Sequence, residues 1–234
     1  MTSPTHAAGA ASHKVRIWDL PTRLFHWLLL ACITALVVTA KLGGNAMNWH
    51  LILGQVALAL IIFRLLWGIA GGYWSRFGNF ALSPAAVVRY MRGLSRADER
   101  AGHNPLGSFS VIAMLAVLIA QVASGLMSDD EIAFSGPLTR FVSGDLISKA
   151  TSYHAHWGQY LLYALIALHV LAILWYSIKG QRLVSSMIQG DKLLEEPVPA
   201  SSDSAGSRIL AAVLAIVASA ISWWIHQLGQ GAAF

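Results

Sequence analysis

Five apolar stretches, each about the length an α-helix needs to cross a bilayer core, dominate this chain. They run from Leu24 to Ala40, Trp49 to Ala70, Leu106 to Met127, Ser152 to Ile178 and Ile209 to Leu228. Polar connections bearing glycine and proline separate them, among them Gly71-Gly72, Gly102-His103-Asn104-Pro105 and Glu196-Pro197-Val198-Pro199. A soluble surface has no room for this pattern. Of the 234 residues, 56% are hydrophobic and only 12% charged, about half the charged share of a globular protein. Disorder and collagen are excluded on the same grounds. Cys32 is the lone cysteine, so the chain has no internal disulfide and no Cys-x-x-Cys-His for covalent haem. The expected class is an all-α integral membrane protein.

The sixteen Lys and Arg residues are spread between the spans. That distribution speaks for membrane topology rather than nucleic acid, despite a pI near 9.6. Thirteen fall on one side, including Arg23, Arg64 and the run Arg76, Arg89, Arg92, Arg96 and Arg100. Three fall on the other: Lys41, Arg140 and Lys149. The positive-inside rule then predicts a cytoplasmic N-terminus and an outer C-terminus. Residues 1–20 read as a polar cytoplasmic segment without a signal-peptide pattern. Residues 21–192 read as a four-helix unit, 193–208 as a cytoplasmic linker, and 209–234 as a fifth transmembrane helix with the outer C-terminus. That helix, with only Arg208 and His226 near its ends, reads as an appended anchor. The connection from Ser128 to Thr151 holds Asp129, Asp130, Glu131 and Asp145 against Arg140 and Lys149. Either it faces a basic soluble partner, or it is poor in basic residues because it is translocated.

Ionisable side chains are costly within a span, so the histidines carry the functional signal. His26 lies about one turn inside the first span and His50 opens the second. His154 and His156 stand near the outer start of the fourth, and His169 lies deep in its other half. Two pairs result, His26 with His169 and His50 with His154 or His156. Facing imidazoles in a helical bundle are what a six-coordinate haem iron requires of its axial ligands, and neutral imidazole brings no net charge into lipid. Zinc would need convergence on one centre. The fifteen residues from His154 to His169 span about 22 Å of helix, which suits two centres rather than one. His50 and His154 share the frame His-x-x-x-Gly-Gln, through Gly54-Gln55 and Gly158-Gln159. A glycine one turn on lets a flat ring approach the backbone. His154 is also turned only about 60° from His169, against about 140° for His156. His154 is therefore the expected ligand, and His156 its alternative.

At these residues the sequence resembles the bacterial cytochrome b561 family, which includes the b-type cytochrome subunits of nickel–iron hydrogenases. The matching segments are Val15 to Trp27 (VRIWDLPTRLFHW), the His50-x-x-x-Gly54 start, Phe63 to Gly68 (FRLLWG), Gly102 to Gly107 (GHNPLG) and the double-histidine fourth helix. They cover roughly residues 14 to 192. The resemblance implies a four-helix haem-binding bundle with two non-covalent b haems in the bacterial cytoplasmic membrane. Such a protein moves electrons between quinone or quinol and a periplasmic cytochrome c or oxidoreductase such as a hydrogenase. His26 and His169 would hold the cytoplasmic-side haem, and His50 and His154 the outer one. Arg23 and Arg64 match basic positions near the inner haem, as partners for propionates or headgroups, or as snorkelling anchors. The family's commonest spacing on the fourth helix lies between the two offered here, fifteen and thirteen. A π-bulge would absorb the extra residue. His103 reads as structural, and Trp18, Trp27, Trp49, Trp67 and Trp74 read as an interfacial aromatic belt.

Two other functions compete with the electron carrier. One is an oxidoreductase acting directly on a small substrate such as superoxide or quinol. The other is a histidine-relay transporter, but the spans hold no Asp, Glu or internal proline to support it.

Overall fold

Three of the helices begin where the sequence carries a capping side chain followed by proline. At Asp19-Leu20-Pro21-Thr22 the Asp19 carboxylate accepts the Thr22 amide at 2.8 Å and starts α1, Leu20–Leu42. Ser83-Pro84 starts α3, Pro84–Met91, and Asn104-Pro105 starts α5, Pro105–Leu126, with the Asn104 side chain accepting the Gly107 amide at 2.7 Å. The computed structural model describes residues 13–230, which leaves part of the expected N-terminal segment and the last four residues outside the description. Between α1 and α2, Ala46–Ala70, the chain reverses through Gly43 and Gly44, both at positive φ that glycine adopts without strain. A short α4, Asp98–Ala101, precedes α5. Beyond α5 a connection leads to α6, Gly144–Ser152, which passes through a π-helical turn, Tyr153–Gly158, into α7, Gln159–Ile178. Then come α8, Leu183–Gln189, and α9, Ala205–Gln230. Two short strands, β1 (His13–Arg16) and β2 (Asp191–Leu194), pair antiparallel with Arg16 opposite Asp191.

Five helices are long and apolar enough to span a membrane: α1, α2, α5, the continuous Gly144–Ile178 rod and α9. The fourth rod starts eight residues before the expected Ser152. Its first turns carry an Asp145–Lys149 ion pair (2.7 Å) on exposed side chains, so this extension belongs outside the apolar layer. The strands, α3, α4 and α8 gather at the end where α1 and α9 begin. Most of the arginines lie at this basic end too.

α2 is the central element. It packs on α1 on one side and on α9 on the other, with Phe25, Phe63, Trp67, Ala211 and Ala218 forming a buried cluster among the three. A second cluster, Ile61, Leu118 and Leu162, joins α2 to α5 and α7. α9 is therefore an integral wall of the bundle rather than an appended anchor. Its buried face consists of Ala211, Ala218 and Ser222, small side chains that permit close approach. The Ser222 hydroxyl donates to the Gln55 carbonyl at 2.8 Å.

The segment 193–208 is tied down along its length. Ser201 donates its amide to Arg16 O and its hydroxyl to Ile17 O, both at 2.7 Å. Asp203 pairs with Arg16 (2.9 Å) and Arg208 (3.1 Å).

Three of the five tryptophans expected in an aromatic belt are core residues instead. Trp67 is fully buried and donates Nε1 to Asp19 Oδ1 and Thr22 Oγ1, both at 3.1 Å. Trp74 is buried and donates to Pro199 O at 2.7 Å. Trp18 is buried with Ile17 and Ala101. The reason is the buried Asp19 carboxylate, which also accepts the Ser75 hydroxyl at 2.7 Å, and the carbonyls around it: indole N–H groups help satisfy them. Trp27 and Trp49 are exposed, as belt residues are.

Candidate functional site

Histidines on α2 and in the π-turn meet at the far end of the bundle. The His50 and His154 rings are neighbours in an edge-to-face arrangement, with centroids 6.0 Å apart and planes 80° from parallel. Each ring is held from behind. His50 Nδ1 donates to Leu36 O at 3.0 Å, and His154 Nδ1 donates to Gln121 O at 2.8 Å. Both bonds fix the tautomer that leaves Nε2 with its lone pair, the arrangement found behind metal-bound histidines. Bonds of about 2.0–2.1 Å from one metal to two opposed imidazole nitrogens put ring centroids at about this separation.

The rings border a cavity of about 370 Å³ whose walls include Ile33, Leu36, Leu118, Val122 and Leu162. Two glycines shape it. Gly54 faces open space, as a close approach of a flat group requires, while a Cβ on Gly125 would lie 2.7 Å from His154 Cε1. Gly158 does not serve as the sequence frame suggested. It is buried against α5, where a Cβ would collide with Gln121 Oε1 and the Tyr153 ring. The shared His-x-x-x-Gly-Gln frame therefore has two different meanings in its two copies.

The π-turn Tyr153–Gly158 carries His154 itself, at the far-end level of the fourth rod. A wide turn of this kind leaves a backbone carbonyl without a helical partner. The His154 carbonyl accepts the Gln121 side-chain amide at 2.9 Å, and the Ala155 carbonyl accepts the side-chain amide of Gln159. His156 is exposed and hydrogen-bonds within its own turn, to Ser152 O at 3.2 Å.

At the basic end His26 on α1 and His169 on α7 lie within electrostatic reach of each other. His26 Nδ1, Arg23 Nε, Arg64 Nη1 and His103 Nδ1 are all buried without a hydrogen-bond partner among the described residues. Arg64 is itself buried, its guanidinium stacked over Phe77 at 4.6 Å. His103 is wedged between Trp18 and Phe80, with centroids at 4.7 and 5.0 Å. Burial, then the cations of Arg64 and Lys192, pushes His103 down to about 3, so its ring is neutral. His26 and His169 lie near enough to act on it as well. An unsatisfied buried donor costs about 1–3 kcal/mol, so several together fit a group that brings acceptors, as haem propionates do. The residues at both ends thus suit haem. Among the described residues, no three of His, Cys, Asp and Glu converge as a compact metal site would need.

Gln121 and Gly125 carried no signal in the sequence reading. His103 belongs beside the basic-end site, and its place in the GHNPLG segment was the one available hint.

The chain is similar to known proteins over most of its length. The probable Ni/Fe-hydrogenase B-type cytochrome subunit of Cupriavidus necator is 23% identical over 223 residues, covering 81% of this chain and 91% of its own. The protein of the same description from Rhizobium leguminosarum bv. viciae is 23% identical over 219 residues, with 78% and 90% covered. The probable Ni/Fe-hydrogenase 1 B-type cytochrome subunit of Escherichia coli is 22% identical over 210 residues, with 74% and 88% covered. No solved structure matches significantly. The family model for prokaryotic cytochrome b561 matches residues 17–190. Because that match takes in every helix from α1 to α8 and both histidine pairs, the chain belongs to the prokaryotic cytochrome b561 family.

Proposed function

We propose that this membrane cytochrome carries electrons across the bacterial cytoplasmic membrane through two b haems. His26 and His169 bind one at the basic end, and His50 and His154 bind the other at the far end. The observation that carries the reading is the His50–His154 pair, with ring centroids 6.0 Å apart and both Nδ1 atoms engaged by carbonyls. Bound haem supplies one-electron chemistry, and the protein supplies ligation, burial and charge. The Leu36 and Gln121 carbonyls hold the ligand tautomers, and the aliphatic walls exclude water. Arg23, Arg64 and His103 offer donors at the basic end.

The count of basic residues supports a cytoplasmic basic end and a periplasmic C-terminus. The names of the relatives support a hydrogenase as partner; its periplasmic position, cytochrome c as a second candidate and quinone or quinol as the membrane partner rest on the sequence resemblance alone. A pyridine haemochrome assay on the purified chain tests the haem count. Two b haems per chain are expected, with one lost in His50→Ala and the other in His169→Ala. One haem in the parent protein, or no loss in either variant, overturns the reading.

A further inference from the structure

A second hollow of about 420 Å³ opens beside the His50–His154 cavity, between α2, the connection at 135–140 and the last turns of α9. The two share Leu51, Gln55, Ser135, Gly136 and Pro137 as common wall. They differ in chemistry. The first is mostly aliphatic around its two imidazoles, whereas the second presents Gln55, Arg140, His226 and Gln230.

The polar hollow is pinned in place. Ser222 Oγ donates to the Gln55 carbonyl (2.8 Å) and lies 3.1 Å from its side-chain oxygen, which leaves the Gln55 amide nitrogen free to donate. Arg140 Nη1 reaches Leu228 O at 3.3 Å, joining the connection to α9. Gly229 lies so close to Pro137 that a Cβ there would stand 2.6 Å from Pro137 Cα.

An apolar hollow continuous with one lined by a guanidinium, an imidazole and an amide suits a flat apolar molecule with carboxylates on one edge. We propose that Arg140 and His226, with Gln55 between the two hollows, form the propionate subsite of the haem held by His50 and His154. The inference rests on that ligation. It makes α9, which lies beyond the family-matched residues 17–190, part of the cofactor site. Two further features point the same way. Asp129 and Asp130 line the apolar cavity, and like charge disfavours a carboxylate beside them. The other cation there, Lys41, is engaged by the fourth rod, donating to Gln159 Oε1 at 3.0 Å.

The test is a redox titration of both haems in the full-length protein, with the far-end haem identified as the one lost in His50→Ala. A cation beside a propionate offsets negative charge that otherwise favours ferric iron. Arg140→Gln should therefore lower the far-end midpoint, shifting the reduced-to-oxidised ratio at fixed potential by about tenfold, or about 59 mV for one electron. His226→Phe should shift it in the same direction, and Arg140→Lys should restore most of the parent value. The basic-end haem, unchanged throughout, reports that the bundle is intact. A shift in Lys41→Gln with none in Arg140→Gln or His226→Phe places the carboxylates at Lys41 and overturns the proposal. So does an equal shift of both haems, or no shift in any variant. If His50→Ala keeps both haems, the ligation itself fails, and that result is distinct from the others.

Discussion

Gln121 and His154 grip each other twice where α5 meets the π-turn. The Gln121 main-chain oxygen accepts the His154 ring at 2.8 Å, and the Gln121 side-chain amide donates to the His154 carbonyl at 2.9 Å. The first bond orients the imidazole, and the second ties the backbone of the π-turn to α5. One residue thus stabilises both the ring and the backbone irregularity that aims it.

Gln121→Leu should weaken haem binding at the far end alone, because it removes only the second bond and frees the π-turn to rewind. Losses of an outer-shell partner usually cost about 10–100-fold in affinity. Haem content measured after dilution and gel filtration should fall toward one per chain, with the basic-end spectrum retained. A variant that keeps both haems through dilution would show that the π-turn holds without its amide partner.

The two neighbouring histidines separate cleanly. His154→Ala should lose one haem and His156→Ala none, since His156 is exposed and bonds only within its own turn. The double variant His50→Ala with His154→Ala should resemble either single one, because both act on one iron. A His156→Ala protein with one haem, beside a His154→Ala protein with two, would refute the assignment.

What the sequence disclosed and what it hid have a common physical origin. Charge and hydropathy are properties of position along the chain, so the five spans and the histidines within them stood out. Which side of a helix meets which neighbour is another matter. α2 and α7 are apolar on nearly every face, and no polar stripe marks their contacts. Gln121, Gly125 and the Ser222–Gln55 bond exist only once α5 faces α7 and α9 faces α2. The fifteen-residue spacing signalled a register problem, but the position of the π-turn depended on where α5 offers an amide. Trp67 and Trp74 resembled belt residues because their partners, Asp19 and Pro199, are remote in sequence.

The glycines give opposed outcomes. Gly125→Val should push the His154 ring aside, since even a Cβ there stands 2.7 Å from its Cε1. Gly54→Leu meets nothing in the protein within 4 Å of the new Cβ, so the helices should pack as before while the side chain occupies the cavity. Both variants should lose the far-end haem. Only Gly125→Val should also lower the melting temperature of protein prepared without haem, since overpacking typically costs roughly 1–3 kcal/mol of stability. Equal melting of the two apoproteins would mean that α5 and the π-turn adjust freely.

Acid should loosen one corner of the basic end before the rest. The Glu99 carboxylate, on α4, accepts the Arg89 guanidinium of α3 and the Arg96 amide at 3.1 Å. The bond from Arg89, then that from Arg96, holds Glu99 below the usual carboxylate range, although burial acts against them. Its lowered value means that the unfolded chain takes up the proton first as pH falls. The contribution is therefore whole above the unfolded value, about pH 4.3, and is lost as pH drops through the folded one. Pepsin cleavage within residues 92–101 should rise steeply between roughly pH 5 and 3 in the parent protein. With each rate divided by that on an unfolded peptide of the same segment, which removes the pH dependence of pepsin's own aspartate pair, Glu99→Gln should give a nearly flat profile over that interval, above the parent at its upper limit, because it has no carboxylate to titrate. If both proteins give the same steep profile, another acid controls the segment, and the Arg89–Glu99 pair is not what holds α3 to α4.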